Sequence, residues 1–291
     1  MKRICALAMS VVALLGLPGC GGDPFRAGNG SDGALVVGSA DFTESELLME
    51  IYAAALRSTG AEVQTKPRIG ARESYVSAVQ QGEISVMPDY TGNLLKYLDA
   101  RHPATRPADV YAAVKRGLPP QLDLLDQSPA EDSDVLAVTR RTADTGVRSM
   151  ADLGPRCGQL TLGAPAEWKS RWERRIAEVY GCRFREIRNL EAGTVTVDAL
   201  TSGTVQVANL FTTSSQIPAN GLVPLDDPQD MYPAQNVVPL VGRGRLSPRQ
   251  AAAVNRASRA LTTEKLTELD RRVEVDKANP ADVAREFVTG L

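Results

Sequence analysis

The order of the structural elements is set near the start of the chain, where residues 35–60 read LVVGSADFTESELLMEIYAAALRSTG. The first four residues (35–38) form a short apolar run that is typical of a buried strand. The Thr-Glu-Ser-Glu sequence that follows is a capping box, with Thr43 predicted as the N-cap and Glu46 as the third helical residue. Apolar residues then recur at helical spacing until Gly60 ends the pattern. We therefore expect a strand, a turn and a capped helix.

The same alternation continues along the chain and predicts an α/β fold. Further strands are expected at residues 62–66, 83–87, 135–139, 159–162, 184–187, 205–208 and 237–241, and helices at 72–81, 93–98, 169–179, 194–201, 247–262, 264–273 and 280–287. This order favours mostly parallel sheets with helices on both faces. Two such units joined by extended segments indicate two lobes with a cleft, and ligands of such sheets bind at the carboxyl ends of the strands.

The N-terminus has the pattern of an export signal. Lys2 and Arg3 precede an apolar run over residues 4–17, which has the length of a signal-peptide core and is short for a membrane span. The run ends in Leu-Pro-Gly-Cys. We expect a signal peptide over residues 1–19 and a lipid on Cys20, with an ordinary signal peptide as the alternative. The Gly-, Asp- and Ser-rich residues 20–33 then form a flexible tether. This predicts a protein anchored by lipid to the extracytoplasmic face of the cell membrane.

Composition narrows the class of function. The net charge of −2 is nearly balanced and argues against a nucleic-acid partner. Sequence motifs of nucleophilic hydrolases, zinc proteases and phosphate-binding loops are missing, and His102 is the only histidine, so we expect no enzyme, no cofactor and no metal site. Beyond the signal peptide and Cys20, two cysteines remain. In an oxidising compartment Cys157 and Cys182 are predicted to form a disulfide, with two buried free thiols as the alternative.

Several segments resemble the substrate-binding proteins of ABC importers for quaternary ammonium compatible solutes, namely glycine betaine, choline, carnitine and proline betaine. Residues 38–44 (GSADFTE) resemble the opening strand and capped helix of that family. Residues 88–92 (PDYTG) resemble its Pro-Glu-Tyr-Thr-Gly signature, with Asp in place of Glu. Later segments resemble the family in the same order, at residues 136–139, 205–217, 222–239 and 273–283. The resemblance spans almost all of residues 35–291.

This resemblance implies a two-lobed, type II periplasmic-binding-protein fold with the ligand cleft between the lobes. Lobe 1 is expected from residues 34–134 and 236–291, and lobe 2 from residues 135–235. The implied function is extracytoplasmic capture of an osmoprotective solute, with an ABC permease and ATPase as partners and a monomeric binding protein. A polyhydroxylated or sugar-like ligand, or a tethered solute sensor, are the alternatives.

The resemblance also implies a set of ligand-binding residues. Family members hold the cationic head in a cage of aromatic rings, by cation–π attraction. Tyr90 matches a ring of that cage, whereas Asp134 and Gln235 stand where relatives carry aromatic residues, and Trp168 is expected to restore one wall. The complete set of candidates is Phe42, Thr43, Ser45, Asp89, Tyr90, Asn93, Asp134, Trp168, Thr213 and Gln235.

Overall fold

The computed structural model describes residues 33–191 and 193–291. The predicted signal peptide, the lipid site at Cys20 and nearly all of the predicted tether lie outside these residues. None of the helices in the described part combines the length and the hydrophobicity needed to cross a bilayer.

Two mixed sheets form the framework of the protein. The described residues contain ten strands, which are β1 (Leu35–Gly38), β2 (Val63–Lys66), β3 (Val86–Tyr90), β4 (Leu122–Leu124), β5 (Asp134–Thr139), β6 (Thr161–Ala164), β7 (Glu186–Asn189), β8 (Val207–Phe211), β9 (Leu222–Pro224) and β10 (Val237–Gly242). The strand orders are β2-β1-β3-β10-β4 and β7-β6-β8-β5-β9. In the first sheet β10 is antiparallel to β3 and β4, and in the second sheet β5 is antiparallel to β8 and β9. The remaining pairs are parallel.

Helices cover both sheets. Those of the described residues are α1 (Thr43–Arg57), α2 (Arg72–Gln80), α3 (Thr91–Leu98), α4 (Pro107–Gly117), α5 (Arg140–Ala143), α6 (Met150–Leu153), α7 (Ala166–Tyr180), α8 (Thr194–Thr201), α9 (Gln216–Ala219), α10 (Pro248–Ala260), α11 (Thr263–Glu274) and α12 (Pro280–Thr289), with a 3-10 helix at Gly154–Gln159. We call the first sheet with α1–α4 and α10–α12 lobe 1, and the second sheet with α5–α9 lobe 2.

Each sheet buries apolar side chains on both faces. In lobe 1, one core contains Leu48 and Val254 from the α1 and α10 side, and the other contains Val76 and Leu94 from the α2 and α3 side. Two further cores lie on the two faces of the sheet in lobe 2. The expected layering of helix, sheet and helix is therefore present in each lobe.

The capping box predicted at Thr43 does not form, because helix α1 begins one residue earlier than expected. Phe42 is the N-cap, and no side-chain hydrogen bond caps the helix. Instead, Ser45 Oγ accepts a hydrogen bond from the backbone N–H of Ala40 at 2.9 Å, and the N–H of Glu46 donates to the carbonyl of Phe42. The turn is thus closed by Ser45 rather than by Thr43.

Strand β3 lies three residues later than predicted, which moves Pro88, Asp89 and Tyr90 from a loop into a central strand. A proline cannot donate to the ladder and usually argues against a central strand. Here Pro88 stands opposite Pro239 of β10, so the missing N–H groups of both prolines fall at one rung. As a result, Asp89 and Tyr90 form the buried end of a strand.

Cys157 and Cys182 form a disulfide with a Cα–Cα distance of 5.3 Å, which confirms the predicted pairing. Both residues are buried in the main core of lobe 2, where the bond joins the 3-10 helix to the chain that leaves α7.

We expect replacement of both cysteines by serine to lower the free energy of unfolding by about 3 kcal/mol, because the bond closes a loop across 25 residues of the chain. Urea denaturation of the double variant measures this loss, and the wild type under dithiothreitol serves as the matched sample. An unchanged midpoint in both would show that the bond adds nothing to stability.

Candidate ligand-binding site

A cavity of about 490 Å³ lies between the two lobes. Its lobe 1 wall comes from the residues that follow β1 and β2, the end of β3 and helix α3, and its lobe 2 wall from the start of β5, α7 and the end of β8. These positions are the carboxyl ends of the parallel strands and the start of the antiparallel strand beside them. The cavity thus occupies the place where open α/β sheets bind ligands.

The structure brings seven of the ten predicted site residues to this cavity, namely Phe42, Ser45, Asp89, Tyr90, Asn93, Asp134 and Gln235. Thr43 and Thr213 line a neighbouring cavity instead. Trp168 lies in the core of lobe 2, only 2% exposed, and its Nε1 donates to the Tyr232 hydroxyl at 2.8 Å. Helix α7 turns a different residue, Trp172, to the cleft.

Five aromatic side chains line the cavity together with charged groups. The chain has only two Trp, seven Tyr and five Phe, yet Phe42, Tyr75, Tyr90, Trp172 and Phe211 all line this one cavity. The rings of Phe42 and Tyr90 are 6.1 Å apart. Tyr75, Trp172 and Phe211 were not among the site residues predicted from the sequence. Trp172 follows Trp168 by one helical turn, so the spacing places both on one side of α7 but does not decide which of them reaches the cleft.

Asp134 holds an aromatic ring of the cavity wall in place. Its Oδ2 accepts a hydrogen bond from Trp172 Nε1 at 3.1 Å, and its Oδ1 accepts one from Asn209 Nδ2 at 3.0 Å. Burial raises the pKa of Asp134, while these hydrogen bonds oppose that rise. The carboxylate therefore fixes the Trp172 ring at the cleft.

Asp89 and Arg72 form an ion pair at the lobe 1 wall. The distance from Arg72 Nη2 to Asp89 Oδ1 is 2.8 Å, and the carboxylate also accepts the backbone N–H of Tyr90 at 2.8 Å. Asp89 is buried, and Arg72 is partly buried. The charge of Asp89 is thus already balanced inside the protein.

Gln235 ties the returning chain to helix α3. Its Oε1 accepts a hydrogen bond from the backbone N–H of Asn93 at 2.9 Å. Beside it, a Cβ on Gly92 would lie 2.5 Å from the carbonyl oxygen of Ala234. The glycine of the PDYTG motif is therefore required by the close approach of this segment.

Lys96 reaches across the cleft from α3 to α7. Its Nζ lies 4.7 Å from the ring centroid of Trp172, a cation–π distance. Burial, and after it the nearby charge of Arg171, lowers the pKa of Lys96, whereas Asp134 raises it. The ammonium group of Lys96 thus lies over the face of the Trp172 ring.

The other end of the cavity is acidic. Tyr90 donates its hydroxyl hydrogen to Glu44, and Asp132 Oδ1 accepts a hydrogen bond from Thr213 Oγ1 at 2.8 Å. Burial, followed by the charge of Glu44, raises the pKa of both Asp132 and Asp270. Asp132 lines the main cavity and also the neighbouring one.

These shifts predict that the folded protein loses stability as the pH rises. Asp270 faces Glu44, Asp132 and Glu274, and its pKa in the folded state is higher than the unfolded value near 4. The folded state then binds more protons, so the free energy of unfolding falls by about 1.4 kcal/mol per pH unit for each extra proton held. We expect Asp270→Asn to reduce this slope in denaturation curves between pH 5 and 8. An identical slope in the variant would contradict the assignment to Asp270.

Comparison with known proteins identifies the family of this chain. The model of the OpuAC family, described as the substrate binding domain of ABC-type glycine betaine transport system, matches residues 33–290. Glycine betaine-binding protein YehZ of Escherichia coli is 26% identical, over 99% of this chain and 97% of that protein. Carnitine transport binding protein OpuCC of Listeria monocytogenes is 23% identical, over 94% and 89%.

Solved structures confirm the two-lobed, type II binding-protein fold. The crystal structure of a glycine betaine/carnitine/choline ABC transporter protein matches with a TM-score of 0.81 at 19% identity, over 88% of this chain and 98% of that one. Apo YehZ from Escherichia coli matches with a TM-score of 0.76 at 26% identity, over the same shares. The chain therefore belongs to the OpuAC family, the substrate-binding domains of ABC-type glycine betaine transport systems.

Proposed function

We propose that this protein captures a zwitterionic quaternary ammonium solute, of the glycine betaine or carnitine type, and delivers it chemically unchanged to an ABC permease. The observation that carries the proposal is the convergence of five aromatic side chains on one cavity between the lobes. Relatives described as glycine betaine-binding and carnitine-binding proteins support the same class of ligand.

The aromatic wall suits the cationic head of such a solute. A quaternary ammonium group has no N–H donor, so it gains little from hydrogen-bond acceptors and much from ring faces. Phe42, Tyr90 and Phe211 share their end of the cavity with the carboxylate of Asp132. Attraction to the rings and to this carboxylate would hold the head there.

The opposite end suits the carboxylate of the solute. Lys96 and Arg171 line the cavity beside Trp172. Neither belongs to a salt bridge within the described residues, in contrast to Arg72, which is paired with Asp89. An incoming carboxylate would find cationic partners in Lys96 and Arg171.

Closure of the two lobes would complete the site. The segments that cross between the lobes pair with each other, through a bridge between Glu131 and Asn236 and a hydrogen bond from Val237 N to Ala130 O at 3.0 Å. Phe42 and Phe211, on opposite lobes, are 42% and 41% exposed. Bending at these segments would bury both rings against a ligand. Sheet membership supports lobe boundaries close to residues 134 and 235.

The N-terminal pattern completes the proposed function. Cleavage after residue 19 and a lipid on Cys20 would tether a monomeric binding protein outside the membrane, next to its permease and ATPase. A role in binding rather than catalysis agrees with the family.

We expect glycine betaine to bind the full chain, and both Phe42→Ala and Phe211→Ala to weaken it by about 2- to 30-fold, the range of one cation–π contact. Isothermal titration calorimetry measures the affinities. Tyr97→Ala is the matched control, since Tyr97 is 40% exposed but lies outside the cavity lining. Binding of sugars or polyols in place of quaternary amines would reject the proposed ligand class while leaving the importer role in place.

Lys96→Met should separate two ligands that differ in the carboxylate. Glycine betaine should bind more weakly to the variant, because its carboxylate loses a cationic partner. Choline should bind about as well as before, because it has no carboxylate that could lose a cationic partner. Lys169→Met, an exposed change on α7, is the control. An equal loss for both ligands would show that Lys96 does not contact the carboxylate.

A further inference from the structure

A second cavity of about 510 Å³ lies against the main one and shares Phe42, Asp132 and Phe211 with it. Its remaining wall includes Glu44 from α1 and Asp270 and Glu274 from α11. We call this cavity the acidic chamber. Four carboxyl groups from three separate parts of the chain thus surround one space.

Among residues 33–191 and 193–291, no basic side chain lines the acidic chamber. Within the described residues none of Glu44, Asp132, Asp270 and Glu274 belongs to a salt bridge. Asp270 is 4% exposed, and its Oδ1 has no hydrogen-bond partner in the described part of the chain. A buried carboxyl oxygen without a donor is costly, and because protein groups or ordered water satisfy nearly all such atoms, this one calls for an explanation.

The chemistry of the acidic chamber points to a cation that carries N–H donors. A quaternary ammonium group cannot donate to the free Oδ1 of Asp270, whereas a primary ammonium has three donors and a guanidinium has five. No three acidic, His or Cys side chains of the described residues are placed to hold a metal ion together. The ring faces of Phe42 and Phe211 also favour an organic cation.

We propose that the acidic chamber binds the primary ammonium or guanidinium group of a small organic cation, beside the quaternary ammonium head that the main cavity holds. The two cavities then recognise cations through different interactions. The main cavity selects by aromatic contact, and the acidic chamber selects by hydrogen bonds to carboxylates. A cation entering the acidic chamber would also displace protons from Asp132 and Asp270, so its binding releases protons.

The test compares two probes with the same carbon chain, butylamine and butyltrimethylammonium, titrated into the full-length protein saturated with glycine betaine. Calorimetry should show binding of butylamine, and of butylguanidine as the guanidinium probe, with at least about tenfold weaker binding of butyltrimethylammonium. Asp270→Asn should lower the affinity for butylamine at least about tenfold. Glu274→Gln, an exposed change, should lower it about threefold. Asp276→Asn, an exposed acid outside the acidic chamber, should leave it unchanged.

Two results would overturn the proposal. Equal binding of both probes would show that donors are not recognised, and wild-type affinity for butylamine in folded Asp270→Asn would place the site elsewhere. Glycine betaine titrated into the same variants separates this inference from the proposed function, since Asp270→Asn should retain betaine affinity. If no sample bound betaine but butylamine binding depended on Asp270, the acidic chamber would stand and the proposed function would fail.

Discussion

The binding site depends on two crossings of the chain between the lobes. In each lobe, the strand that runs antiparallel to its neighbours is the first one formed after the chain arrives from the other lobe. Strand β5 enters the second sheet after the first crossing, and β10 enters the first sheet after the return. The two crossings pair where Glu131 faces Asn236. This pairing places Asp132, Asp134 and Gln235 at the ends of the strands that line the cleft.

The tight fit of the return segment explains the PDYTG motif. Gly92 leaves room for the carbonyl of Ala234, and Gln235 takes the first-turn N–H of Asn93. Gln235 therefore forms a structural hydrogen bond at the edge of the cleft. The aromatic contact is supplied from α7 and β8, by Trp172 and Phe211. The aromatic residues of the site thus come from separate positions along the chain.

Several charged groups of the cleft have no salt-bridge partner in the described part of the chain. Lys96 stands on the face of Trp172, and acidic groups gather at the end near Phe42 and Phe211. Charges kept close together without partners cost stability, as the raised pKa of Asp132 indicates. Such a cost is typical of binding sites, where the missing partner is the ligand.

The sequence by itself determined the alternation of strands and helices, the cysteine pair and the segment around Tyr90. The alternation depends on side-chain period and on glycine and proline, which act between near neighbours. The cysteine pair follows from the number of cysteines in an oxidising compartment, and the segment around Tyr90 from its resemblance to the family signature. Local signals were less reliable at boundaries. The capping box predicted at Thr43 does not form, because Phe42 is the N-cap of α1. Strands β6, β7 and β8 begin two residues later than the pattern predicts. Only the tertiary structure decided that Trp172 rather than Trp168 meets the cleft, and that Glu44, Asp132 and Asp270 meet in one chamber. These groups are far apart in the chain, and their proximity depends on how two separately folded sheets exchange strands, which no local pattern encodes.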